Sequence, residues 1–176
     1  MEDKGAGDTA FLESLFGHNR WANLKLLDFC AGLTEEQLSA TTTGTFGSIR
    51  ATLAHLFRAE IDYVCRVTGG PLPQWVSERQ WPGFEQLKED AQRSGEALGQ
   101  IADRARGQDM VRETDPEQGQ WAEYPVRALL VQAINHATEH RTQVSAIITS
   151  LGLEPPNMDG WALMEETGEL REGTLS

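Results

Sequence analysis

The sequence predicts an all-α protein: a four-helix bundle with irregular connections. Two observations predict it. Four stretches of about twenty residues or more carry apolar side chains at helical spacing. Between them lie caps, glycines and prolines, which stop helices. Helices of that length span about 30 Å, the height of a small bundle. A chain of 176 residues without internal repeats or low-complexity segments reads as one domain over residues 1–176.

The first helix is expected from about Thr9 to Ala31. Asp8 or Thr9 supplies its N-cap, Phe11, Leu12, Leu15, Phe16, Trp21, Leu24, Leu27 and Phe29 its apolar positions, and Gly32 its stop. Thr34-Glu35-Glu36-Gln37-Leu38 starts like a capped turn, and Ala40 to Gly47 reads as a loop. Ser48 caps a second helix, about Ile49 to Thr68, with Ile49, Leu53, Leu56, Phe57, Ile61 and Val64 on its stripe. Gly69-Gly70-Pro71 ends it. Residues 71–83 hold three prolines and two tryptophans, an irregular connection. The third helix, about Phe84 to Arg106, is the most polar and has a thin buried side. Val111 to Thr114 and Gln120 to Tyr124 flank a turn, as a hairpin or as extended loop. Pro125 opens a fourth helix that runs to about Leu151. After Pro155-Pro156 the reading is a short helical turn around Trp161 to Met164, then a flexible acidic tail over about 165–176.

Composition narrows the function. Lys+Arg is 15 against Asp+Glu 27, a net charge of −12 and a pI near 4.7. Such a chain suits neither nucleic-acid phosphates nor anionic lipid. No apolar run approaches the roughly 20 residues of a membrane span, and the small, acidic N-terminus lacks a signal-peptide core. Cys30 and Cys65 form no CxxC and sit in apolar helical patterns, as buried free thiols do. The expected compartment is a reducing cytoplasm.

Three of the four histidines carry the chemistry. His136 and His140 stand four apart, one turn apart on one helix face. HxxxH is a common way to offer two imidazoles to one ion, although two surface histidines have the same spacing. His55 lies midway along the second helix. A bundle interior taking one histidine from one helix and two from another makes a three-imidazole site that suits Zn²⁺, Ni²⁺, Fe²⁺ or Co²⁺. Three protein ligands leave a position open, the catalytic pattern. His18 reads as a surface or capping residue.

Several stretches together resemble a known family. His-Asn-Arg-Trp-Ala-Asn at 18–23 looks like the opening of DinB/YfiT-like proteins. Leu53-Ala54-His55-Leu56 with Ala59-Glu60 looks like their second helix. Asn135 to Val144, followed by Leu151-Gly152 and Pro155-Pro156, looks like their signature stretch. The resemblance covers nearly the whole chain in order. It implies a four-helix bundle, commonly a homodimer, with one divalent metal (zinc, nickel or iron) held by His55, His136 and His140. It also implies use of a low-molecular-weight thiol, since the family includes thiol-dependent transferases and isomerases. Glu139 stands where the family often has another histidine, and Thr142 where glycine is frequent. Neither change removes a ligand, but both bear on the surroundings of the metal.

Helical position nominates the neighbours. Gln132 lies about one turn before His136, and Gln143 three residues after His140. Glu139 is a candidate general base through water, or a solvated carboxylate. Arg141 either orients an anionic substrate or thiol or fixes the helix through a buried ion pair. Trp121 and Tyr124 either wall a pocket mouth or pack in the core. Glu60 reads as structural, Trp21 and Asn23 as helix packing. The expected function is a divalent-metal-dependent enzyme acting on a small molecule, a thiol-dependent transferase or a hydrolase, with no nucleic-acid or membrane partner. The alternatives are a non-catalytic metal-binding stress-response protein and a dimeric interaction module of the same fold.

Overall fold

The computed structural model describes residues 4–71, 81–115 and 117–173, with side chains from residue 10 onward. Its elements are α1 (Lys4–Cys30), α2 (Glu35–Leu38), α3 (Ile49–Thr68), α4 (Phe84–Arg104), β1 (Met110–Asp115), β2 (Gln120–Pro125), α5 (Val126–Ser150) and α6 (Gly160–Thr167). The four long helices form the bundle. α1 lies mainly against α4, α3 against both α4 and α5, and α5 closes back on α1. Among the described residues no helix is long and apolar enough to cross a membrane.

Local chemistry accounts for most boundaries. Thr34 and Gln37 form a reciprocal capping box at α2. Ser48 accepts from the Ala51 N–H at the start of α3, and Gly69 ends α3 at φ 70°, a left-handed position open to glycine at no steric cost. β1 and β2 pair antiparallel, Val111 facing Tyr124, so the extended segments are a hairpin. Asp115 Oδ1 accepts from the N–H groups of Glu117 and Gln118 at its turn.

Some boundaries differ from the sequence reading. α1 starts at Lys4, so Asp8 and Thr9 lie inside the helix rather than at its N-cap position. No proline or other strict stop precedes them, and continuing the helix satisfies backbone groups that a cap would otherwise serve. Pro125 is the N-cap of α5, one residue outside the helix. α4 stops at Arg104, two residues short. Glu165 to Thr167 are helical, not tail: α6 begins at the Asp159 cap, and Glu166 pairs with Lys25 and accepts from Trp21 Nε1 at 2.8 Å. Residues 72–80 of the proline- and tryptophan-rich connection lie outside the described residues. Phe11 is 69% exposed rather than core, and Cys65 is only partly buried, while Cys30 is fully buried; both are free thiols.

The core has two apolar layers with a polar layer between them. One layer gathers Leu26, Leu27, Leu53, Phe57, Leu87 and Ile147. The other gathers Phe16, Leu98, Ala102, Val111, Val126 and Leu130. Glu60 sits between them, fully buried. Its Oε1 accepts from Asn19 and Asn23, each at 2.9 Å, and its Oε2 from Ser94 at 3.0 Å. Arg141 Nη1 donates to Oδ1 of the same two asparagines, at 2.6 and 2.7 Å. Burial pushes the Glu60 carboxyl up, and its three donors and the Arg141 charge draw it back. The layer joins α1, α3, α4 and α5 through satisfied polar groups, which fixes their register.

Candidate functional site

The polar layer decides what α5 can offer on its α3 side. Arg141 reaches inward to α1. His140, about 100° around the helix, turns toward α3, and His136 lies one turn before it. From α3, His55 meets them. His136 Nε2 is 3.1 Å from His55 Nε2 and 3.1 Å from His140 Nε2. Ligand atoms of all three lie within 4.8 Å of one another, a group that could hold a metal ion. Two nitrogens on one ion with bonds of about 2.0–2.1 Å sit roughly 2.9–3.4 Å apart, depending on the angle. The two separations that involve His136 fall in that interval.

Proton placement strengthens the fit. His140 Nδ1 lies 3.1 Å from Gln143 Oε1. That oxygen only accepts, and it also accepts from the Phe46 N–H at 3.0 Å. His140 therefore carries its proton on Nδ1 and aims a bare Nε2 lone pair at the cluster. His136 Nδ1 is buried with no hydrogen-bond partner among the described residues. If His136 holds its proton there, two lone pairs face each other across 3.1 Å. If it holds the proton on Nε2, it can serve only one of its two neighbours. A cation resolves either case. Burial, then the positive charges His140 and His55 can carry, bring His136 down to about 4, so its imidazole is neutral near pH 7.

Aromatic rings wall the cluster. Phe46 stacks on His55 with centroids 4.2 Å apart and planes 16° apart, and meets His140 edge-on. Tyr63 meets His136 edge-on at 5.8 Å. Tyr63 also lines a recess of about 280 Å³ with Arg66, Tyr124, Ala128, Leu129 and Gln132. Tyr63 and Gln132 thus stand together in its lining, as do Tyr124 and Arg66. Arg66 is held by Asp62 and Glu113.

The nominated neighbours thus divide. Gln143 touches His140, and Gln132 and Tyr124 line the recess. Glu139 is exposed and reaches the histidines only through Gln143, whose Nε2 donates to it at 3.2 Å. Trp121 is 61% exposed and lies under Arg112 in a separate depression with Cys65. Arg141 is buried on the asparagines and Thr138, turned away from the histidines. Glu60 and Asn23 belong to the structural layer, and His18 meets the Met158 carbonyl at 3.0 Å. Phe46 and Tyr63 were missed. Tyr63 was within reach of helical spacing, since it lies eight residues after His55 on α3, about two turns along roughly the same face.

The chain matches the model of the DinB family over residues 1–172. No curated protein matches it. Among solved structures it is similar to a DinB-like protein from Bacillus cereus ATCC 10987, with 20% identity and a TM-score of 0.57 over 80% of this chain and 91% of that one. At that identity the likeness shows the fold.

Proposed function

The chain belongs to the DinB family, and from that premise we propose that it is a metal-dependent enzyme acting on a small molecule, with His55, His136 and His140 as ligands of one divalent ion. The observation that carries this reading is the convergence of three Nε2 atoms with the His140 lone pair fixed by Gln143. A divalent ion held there would supply a Lewis acid that polarises an oxygen or sulfur of the substrate.

The protein's own residues would do the rest. Gln143 holds the His140 proton at Nδ1. Phe46 covers one face of His55 and keeps water from it. The recess beyond Tyr63 is where a small substrate would lie, with the Tyr63 and Gln132 side chains in its lining to orient a polar group. Among low-molecular-weight substrates, thiol conjugation suits the arrangement best. A divalent ion with imidazole ligands and an open position favours a thiolate, and no side-chain nucleophile adjoins the histidines among the described residues.

The test is thiol consumption by metal-loaded protein presented with low-molecular-weight thiols and electrophilic acceptors, beside His140→Ala treated identically. Conjugation by the parent and none by the variant supports the reading. Metal-loaded protein inert toward every thiol and acceptor would move the weight to a non-catalytic metal-binding role.

A further inference from the structure

Across α5 from the histidines, α1, the end of α4 and the start of α5 line a pocket of about 330 Å³ that is open to solvent on one side. Leu12, Leu15, Phe16, Leu130, Val131 and Ile134 supply much of its apolar wall, and its polar side chains are Arg106, Arg127 and Asn135. Arg127 Nη1 donates to the carbonyl of Gly107, the residue after Arg106, so the two arginines stand at one end. Asp109 Oδ2 accepts from the Arg106 backbone N–H at 2.7 Å, but among the described residues neither arginine side chain pairs with a carboxylate, whereas those of Arg20, Arg50, Arg66 and Arg93 each do. In a chain with 27 acidic and 15 basic residues, two guanidinium groups without an ion-pair partner beside an apolar pocket mark a place that attracts an anion. Arg127 also stands in the first turn of α5, which has no acidic residue and no side-chain cap, so the helix end adds positive potential.

We infer that this cavity binds an anionic amphiphile, with its apolar chain among Leu15, Leu130 and Ile134 and its carboxylate at Arg106 and Arg127. A purely apolar ligand would leave the arginines unused, and a simple anion would leave the apolar wall wet. The volume lies at the lower end of small-molecule pockets. It is too small to seat a partner helix, which is roughly 10 Å across with its side chains. Guanidinium groups recognise carboxylates through charge-assisted, often bidentate hydrogen bonds.

The test is calorimetric titration of the full chain with octanoate, using octanol as the chain-only probe and acetate as the head-only probe. One saturable octanoate site per chain is expected, with octanol and acetate roughly tenfold weaker or more, and a similar loss in Arg106→Ala/Arg127→Ala. Ile134→Trp, which fills the cavity, should abolish binding while its thermal unfolding stays cooperative. Equal affinity for octanol and octanoate, an arginine variant that binds like the parent, a cavity-filled variant that still binds, or no saturable site would each overturn the assignment. Sedimentation of the same samples covers the remaining occupant. If octanoate acts only by dissociating a dimer, the face is a contact between copies and the assignment fails.

Discussion

One oxygen of Gln143 holds two parts of the site. It accepts from His140 Nδ1 and from the Phe46 N–H, so the orientation of a histidine and the position of the loop that covers His55 depend on the same side chain. Partners of this kind typically contribute about 10–100-fold to metal affinity. Gln143→Ala should therefore weaken zinc binding by about that factor in a competitive chelator titration, with thermal unfolding little changed, since Gln143 is only partly buried. Unchanged affinity would show that the Gln143 contact is incidental. At this scale the sequence was readable where spacing is local. His136 and His140 share a face because they are four apart, and the same rule brings Gln143 beside His140. Phe46 was not readable, because its place depends on a contact with a residue 97 positions away. Glu139 looked adjacent to the ligands in sequence, yet the helix turns it to solvent.

The helices were legible in proportion to their end signals. α3 has a serine cap and a glycine stop, and both of its ends fall where those residues place them. The start of α1 has no comparable signal, whereas α6 ends on Gly168 at φ 72°, a local stop that the sequence reading passed over, and Glu166 ties that helix to Lys25 and Trp21. Two glycines within α4, Gly95 and Gly99, have different roles. A Cβ at Gly95 would fall 2.8 Å from Arg20 Cβ and Cγ, so the bare backbone there lets α1 and α4 approach. A Cβ at Gly99 would meet Phe16 Cβ at 3.8 Å, an ordinary contact. Gly99→Ala should then stabilise the fold by about 0.5–1 kcal/mol through the lower entropy of the unfolded chain. Gly95→Ala should destabilise it by about 1–3 kcal/mol through overpacking. Urea denaturation of both variants checks the opposite signs. Stabilisation in both would mean that Arg20 gives way freely and that the helices do not need the gap.

Across the whole molecule, the charge and the polar layer set how stability responds to pH. His136 titrates at about 4 in the fold against 6.5 ordinarily. As pH falls below 6.5 the unfolded chain takes up this proton before the folded chain does. The stability His136 contributes is thus present above 6.5 and lost progressively as pH falls to about 4. Glu60 acts in the other direction, because its raised carboxyl favours the fold at low pH. Comparing metal-free protein with His136→Gln isolates the histidine. Between pH 7 and pH 5 the urea midpoint of the parent should fall further than that of the variant. Parallel falls would show that His136 is not shielded from protonation in the fold.

The bundle, with its four long helices, was legible in the apolar periodicity. The polar layer was not, since Asn19, Asn23, Ser94 and Arg141 have meaning only once four helices bring them to Glu60. That layer carries the central claim, because it holds Arg141 inward on α1 and leaves His140 to face His55. The most direct measurement is elemental mass spectrometry of untagged protein beside His140→Ala. The account predicts about one zinc, nickel or iron per chain in the parent and a large loss in the variant. A parent that holds no divalent metal, even after reconstitution with each ion, would contradict it.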